Sequence, residues 1–324
     1  MTDDVVTVSA PARLHLGFLD PGGSLGRRFG GIGLALDAPA TRIRLARAPR
    51  DAVTGPEADR TGRYLRTIRD ALGIDRAYRL TVEETIPAHA GLGSGTQLAL
   101  AVATAVRTLE RLPQDFSGDA ALLGRGNRSG LGAAFLTSGG VAVDGGKGAA
   151  DRPPPIVAQL PFPEAWRVIL VLDRESEGFH GQDELDAFAA LPAFPQAEAA
   201  EICQLVLLKA LPGLAEADVA AFGEAIAAIQ ERVGAHFAAA QGGVFTSPRV
   251  ARTCAALAAA GAHGIGQSSW GPTGFAFAGS QAEAARLVAA VSAEARGLDI
   301  RIVRGRNRGA LIERQTSHRL TVNG

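Results

Sequence analysis

The sequence predicts an α+β protein in two domains, and three observations carry that expectation. The chain has 324 residues, more than one ordinary hydrophobic core organises. Its first half shows strand-like alternation leading through a glycine-bearing loop into a long alanine-rich helix. Its second half mixes alanine-rich helices with short apolar runs. The polar, proline-rich stretch from Lys147 to Pro155 separates the halves, so we expect one domain over 1–160 and a second over 161–324.

Taking the elements in order, Val5 to Ser9 alternates as a strand. Beyond Pro11 the alternation resumes, with Leu14, Leu16 and Phe18 on one face and Arg13, His15 and Gly17 on the other. If that second face lines a cleft, Arg13 can grip an anion and His15 can donate or exchange a proton; otherwise it is a solvated strand face. Asp20-Pro21-Gly22-Gly23 reads as a turn, and Arg27 and Arg28 follow on a glycine-rich connection to Ile32–Asp37. Thr41 to Arg47 is a further strand, Glu57 to Leu72 a helix stopped by Gly73, and Tyr78 to Glu84 a strand.

The next stretch organises the first half. Pro87-Ala-His-Ala-Gly-Leu-Gly-Ser-Gly-Thr-Gln97 enters the segment Leu98 to Arg111, where Leu98, Ala101, Val102, Ala105 and Leu109 form one apolar helical stripe. Gly91, Gly93 and Gly95 let a ligand approach the backbone, and Ser94 or Thr96 can cap free amides. Free amides at a helix entrance, with the helix dipole behind them, suit a phosphate. A plain turn before a buried helix is the competing reading.

Gly124 to Gly132, Gly-Arg-Gly-Asn-Arg-Ser-Gly-Leu-Gly, places Arg125 and Arg128 among glycines, with Ser129 able to cap a short helix. Gly139 to Asp144 is a strand closed by Gly145 and Gly146. In the second half Trp166 to Leu172 is a buried strand ending at Asp173, which is either a catalytic carboxylate or a turn cap. Arg174 to Gln182 carries His180 on a glycine-flanked loop. Helices are expected over Leu185–Leu191, Glu198–Leu211, Asp218–Ala240, Val250–Ala260 and Gln281–Ala295. Strands are expected over Ile300–Arg304 and Ala310–Glu313. Trp270, within Gly264 to Phe277, either fills the core or stacks on an aromatic ring.

Composition bounds the function. The formal net charge is +0, which argues against nucleic acid as the main partner. Lys147 and Lys209 are the only lysines, so nearly all positive charge is arginine, suited to phosphate and carboxylate. Cys203 and Cys254 lack metal-ligand spacing and read as reduced core residues. The acidic opening is unlike a signal peptide and no run approaches a membrane span, so a cytoplasmic protein with no membrane partner is expected.

Pro87 to Gln97 resembles the phosphate loop of the GHMP superfamily of small-molecule kinases. Ala12 to Asp20 with Phe29 to Asp37, and Gly124 to Gly132 with Gly139 to Gly146, resemble the beta-ribofuranosylaminobenzene 5'-phosphate synthase family within it. The resemblance covers nearly the whole chain, and Gly264 to Phe277 matches the superfamily's third motif, the turn that closes over the loop. It implies a GHMP kinase-like two-domain fold with a left-handed crossover. Its amino-terminal domain would be ribosomal protein S5 domain 2-like and its carboxy-terminal domain ferredoxin-like.

The resemblance further implies a cytoplasmic homodimeric pentosyltransferase of tetrahydromethanopterin biosynthesis. It would join phosphoribosyl pyrophosphate to 4-aminobenzoate with release of CO2 and pyrophosphate, using Mg2+. Gly91, Gly93, Ser94, Gly95, Thr96 and Gln97 would hold one phosphate. Arg13, Arg27, Arg28, Arg125, Arg128, Ser129, Ser268 and Ser269 would serve the remaining substrate groups. His15, His180 and Asp173 are the candidates for catalysis, and Asp20, Asp37 and Asp144 for the metal. Two departures point away from the alternative, an ATP-dependent GHMP small-molecule kinase. Asn127-Arg128-Ser129 stands where several kinases carry a catalytic aspartate, and Gly95 replaces a serine that often helps hold magnesium. A non-catalytic binder of a phosphorylated metabolite is the third reading.

Overall fold

The structure, a computed structural model, describes residues 3–150, 152–176, 178 and 191–317. Two long strands, β1 (Asp3–Asp20) and β2 (Phe29–Ala48), run antiparallel. Their connection begins where the Asp20 carboxylate accepts from the N–H groups of Gly22, Gly23 and Ser24 and from the Ser24 hydroxyl. This is the local backbone mimicry for which aspartate is favoured in turns. β3 (Ala52–Thr54) lies parallel to β4 (Ala77–Glu84), joined through α1 (Ala58–Ala71). After α2 (Ser94–Leu109), α3 (Phe116–Leu122) and α4 (Leu131–Thr137) come β5 (Val141–Asp144) and β6 (Ile156–Leu160).

β2 is long enough to serve two neighbours. Gly31 to Leu34 pair with β5, while residues 42 to 48 pair with β4. The alanines of α2 let it approach the sheet closely. It is buried on nearly every side, because α1, α3 and α4 cover what the sheet does not. The single apolar stripe read from sequence therefore understated its burial.

The second domain is a four-stranded antiparallel sheet. Its strands are β7 (Arg167–Leu172), β8 (His263–Gln267), β9 (Gly274–Ala278) and β10 (Asp299–Val303), in the spatial order β10-β7-β9-β8. That order, with helices between the strands, is the ferredoxin-like arrangement expected. The helix α5 (Gln196–Leu205) widens to a π turn at Val206–Ala210 and resumes as α6 (Leu211–Ala215). The widening falls just before Pro212, whose nitrogen has no proton to give the ladder. α7 (Val219–Gln241), capped by the Asp218 carboxylate, α8 (Pro248–Ala259) and α9 (Gln281–Ala290) complete it. α9 stops short of the expected Ala295. The helix expected over Leu185–Leu191 falls on residues that, except for Leu191, lie outside the described ones.

The last strand, β11 (Leu311–Ser317), returns to the first sheet and pairs with β1, as in Val8 opposite Ile312. A one-cut division by sequence cannot show this, because the partner of a strand is not written in its own residues. The long helix α7 also crosses to the first domain. Its Gln230 donates to the Leu16 carbonyl at 2.8 Å and accepts from the Gln267 N–H at 2.8 Å. Gly17 faces Ile229 of this helix, and a side chain there would overlap the isoleucine. Cys254 is buried in the second core, its thiol pushed up to about 12 by burial, whereas Cys203, expected in a core, is exposed on α5. No described helix is long and apolar enough to cross a membrane.

Candidate functional site

Three segments far apart in sequence meet at the entrance of α2. The Arg13 N–H donates to the Leu92 carbonyl at 3.0 Å, tying β1 to the glycine loop. From the second domain, the Ser268 hydroxyl accepts from the His15 N–H at 3.0 Å and donates to the Gly91 carbonyl at 2.8 Å. Gly91 must be glycine: its φ is 75°, and a Cβ would overlap the Ser268 carbonyl oxygen. Gly93, at φ 77°, is the N-cap of α2, and no side chain caps the helix. Ser94 and Thr96 therefore lie in the first turn and do not cap it, contrary to expectation. The first amides of a sixteen-residue helix are left for a ligand.

These amides border a cleft of about 510 Å³. Arg13, His15 and Phe18 of β1, Gly91 and Gly93 to Thr96 of the loop, Arg125, Arg128 and Ser129, and Ser269 with Trp270 line it. The sequence had singled out most of these. Arg60 was missed. It lies in the first turn of α1, outside every glycine motif, and only its i,i+4 spacing from Tyr64 could have flagged it. The described lining residues include four arginines, Arg13, Arg60, Arg125 and Arg128, and no aspartate or glutamate. Such a concentration of guanidiniums beside free amides suits a polyanion of small size.

His15 is buried, and burial first and then the nearby Arg13 charge hold its imidazole well below the usual histidine range. Its Nε2 has no hydrogen-bond partner. A neutral imidazole with a vacant nitrogen at a cleft wall accepts or donates a hydrogen bond more readily than it carries a proton. It stands 4.5 Å, ring to ring, from Phe18, and beside Trp270, which packs on Phe237 at 4.6 Å. The core reading of Trp270 thus holds while one side of it meets the cleft.

Several expected site residues are employed elsewhere. Gln97 is buried under the loop, donating to the Gly132 carbonyl at 3.0 Å. Ser268 bridges the segments and does not line the cleft. Arg27 spends its guanidinium on the carbonyls of Gly145 and Gly146, and Arg28 on that of Pro21 while stacking over Phe29. Asp173 accepts from the hydroxyls of Ser176 and Ser247 and the Glu175 N–H, and pairs with Arg249 at 3.5 Å. It is the turn cap and not a cleft carboxylate: burial raises its pKa, but these donors outweigh burial and lower it overall. His180 lies outside the described residues.

The three aspartates proposed for magnesium do not converge. Asp20 closes its own turn, Asp37 accepts from the Arg304 N–H, and Asp144 is buried beneath the cleft. Asp144 accepts from the Ser129 hydroxyl and from Gly130 and Gly146, and burial raises its pKa against these donors. No cluster of three or more histidines, cysteines or carboxylates able to hold a metal occurs among the described residues. The described residues do not fit a magnesium ion held by protein carboxylates alone.

Residues 60–140 match the family model for the GHMP kinases N terminal domain and residues 210–297 that for GHMP kinases C terminal. The chain is 32% identical over 323 residues to a beta-ribofuranosylphenol 5'-phosphate synthase of Archaeoglobus fulgidus, covering 95% of this chain and 100% of that one. It is 30% identical over 328 residues to the enzyme of the same name from Methanothermobacter thermautotrophicus, with 94% and 98% covered. Homoserine kinase from Cytophaga hutchinsonii has a similar fold, with a TM-score of 0.69, 18% identity, and 97% and 98% of the two chains covered.

Proposed function

The chain belongs to the beta-ribofuranosylphenol 5'-phosphate synthase family on the GHMP kinase fold, and from that premise we propose that it is a pentosyltransferase. The donor is phosphoribosyl pyrophosphate and the acceptor a para-substituted benzoate, in tetrahydromethanopterin biosynthesis. The sequence suggested 4-aminobenzoate, whereas the relatives' names specify a phenol, so 4-hydroxybenzoate competes for the role. The observation that carries the reading is the cleft itself: four arginines and the open amides of α2, with no described carboxylate among them.

The chemistry balances on that inventory. The bond from ribose C1 to the diphosphate oxygen breaks, and the diphosphate leaves with the electron pair. The ring carbon bearing the carboxylate forms the new carbon–carbon bond to C1. The bond to the carboxylate then breaks, CO2 departs, and its electron pair restores aromaticity. No proton is gained or lost overall. Neutral His15 is therefore compatible with turnover, and the proton-handling role expected for it is unnecessary. The guanidiniums and amides stabilise the departing diphosphate. We place the acceptor ring at the Phe18 and Trp270 end, where apolar surroundings favour a carboxylate that sheds its charge as CO2. A kinase needs a base for its alcohol, and the described lining residues provide no carboxylate for that purpose.

Purified protein incubated with phosphoribosyl pyrophosphate, magnesium and carboxyl-labelled 4-aminobenzoate or 4-hydroxybenzoate tests the proposal. Labelled CO2 released in step with pyrophosphate supports it, and the faster acceptor identifies the substrate. ATP turnover to ADP with neither product would replace it by the kinase reading.

A further inference from the structure

Arg60 and Arg125 reach the cleft from different segments and meet on one side chain. Arg60 Nε donates to the Tyr64 hydroxyl at 3.0 Å, and Arg125 Nη2 donates to the same oxygen. Both guanidiniums also lie against the Tyr64 ring, at 5.9 and 5.5 Å from its centroid. Two like charges gathered on one neutral oxygen repel each other. Glu57, 3.5 Å from Arg60, pairs with that guanidinium alone, and it does not line the cleft. Arg125 Nε is buried with no hydrogen-bond acceptor.

Gly95 explains where this charge is aimed. It is the second residue of α2, where helical backbone does not require glycine. What its missing side chain leaves room for is Arg60: a Cβ would overlap Arg60 Nη2, at the tip of that side chain, and approach Arg125 Nη1 to 3.4 Å, so a larger residue would push the Arg60 guanidinium aside. The two guanidiniums therefore crowd the first turn of α2, beside its open amides.

We propose that Arg60 and Arg125, yoked by Tyr64, clamp the diphosphate of the donor against the first turn of α2, and that Gly95 is glycine to admit the Arg60 guanidinium. The proposal rests on the reading of the cleft as a phosphoribosyl-donor site. A diphosphate carries more charge than a phosphate monoester and offers oxygens on two phosphorus atoms, one for each fork. The clamp also accounts for the missing carboxylates: a site that neutralises its leaving group with guanidiniums needs no metal ligands of its own.

Calorimetric titration of the full chain with inorganic pyrophosphate, and separately with ribose 5-phosphate, tests it. The wild type should bind both. Arg60→Met and Arg125→Met should each weaken pyrophosphate at least about 10-fold, while ribose 5-phosphate changes less than about 2-fold. Gly95→Ser should displace Arg60 and weaken pyrophosphate as much as Arg60→Met does, with no further loss when the two are combined. Tyr64→Phe, which keeps the ring, should cost about 3-fold or more. Unchanged pyrophosphate affinity in Arg60→Met and Gly95→Ser, in protein that melts like the wild type, overturns the clamp and leaves the cleft reading standing. A loss confined to ribose 5-phosphate overturns it too, assigning the pair to the monoester. A wild type that binds neither anion overturns the donor site and the clamp together.

Discussion

The hydroxyl of Ser268 donates to the carbonyl of Gly91 at 2.8 Å, and the same oxygen accepts from the His15 N–H. One buried atom thus fixes the second domain, the glycine loop and the first strand relative to one another. Replacing it strands two buried backbone groups at once. Ser268→Ala should lower stability by about 2–6 kcal/mol, at roughly 1–3 kcal/mol for each group left unsatisfied, and weaken donor binding because the loop loses its brace. Denaturant unfolding and donor titration check this. Full stability with full affinity would mean that the bridge holds nothing.

The arginines divide by where they stand. Arg13 and Arg128 line the cleft, whereas Arg27 is occupied by the Gly145 and Gly146 carbonyls and Arg28 by Pro21 and Phe29. Alanine at 13 or 128 should weaken phosphoribosyl pyrophosphate by about 10–100-fold, the cost of a charge-assisted hydrogen bond. Alanine at 27 or 28 should change it less than about 3-fold. Titration of the four variants decides, and an Arg27 variant as impaired as Arg13→Ala would return that arginine to the substrate.

What the sequence made legible follows the range of the interactions concerned. The glycine loop, the apolar helix behind it and the Arg13 and His15 face were readable because local spacing encodes them. Arg60 was not, because its importance depends on the space above Gly95, which α1 enters only in three dimensions. Asp20 illustrates the opposite error. A carboxylate in a glycine-rich motif suggested a metal, but its four hydrogen bonds all close within four residues of itself. Ser268 belongs to a motif that the sequence did flag. Its contact with His15 spans 253 residues, and only the fold shows that it braces the site from behind.

Asp173 sits at a strand end, where a catalytic role was open, yet its acceptors are filled by Ser176, Ser247 and Glu175 with Arg249 alongside. Asp173→Asn should therefore destabilise the second domain by about 1–3 kcal/mol, as expected for a buried charge-assisted network, while kcat stays within about 2-fold of the wild type. Its folded pKa is lowered, so its stabilisation is present above the ordinary aspartate range and is lost as pH falls through the folded value. Thermal melts against pH, set beside turnover at neutral pH, test both halves. A variant that melts normally but does not turn over would make Asp173 catalytic after all.

His15 provides the sharpest pH test. Its folded pKa is held well below the ordinary histidine value of 6.5 by burial and then by Arg13, so near neutrality the imidazole is uncharged in the folded chain and mostly uncharged in the unfolded one. Below about pH 6.5 the unfolded chain takes up the proton and the folded one does not, so stability falls as pH falls, with a slope approaching about 1.4 kcal/mol per pH unit. His15→Asn, which keeps a neutral hydrogen-bonding side chain, should flatten that slope. Since the balanced reaction moves no net proton, kcat/KM should show no inflection from His15 between pH 6 and pH 9. An acid limb near the ordinary histidine value that disappears in His15→Asn would make the residue a proton carrier and refute the neutral assignment.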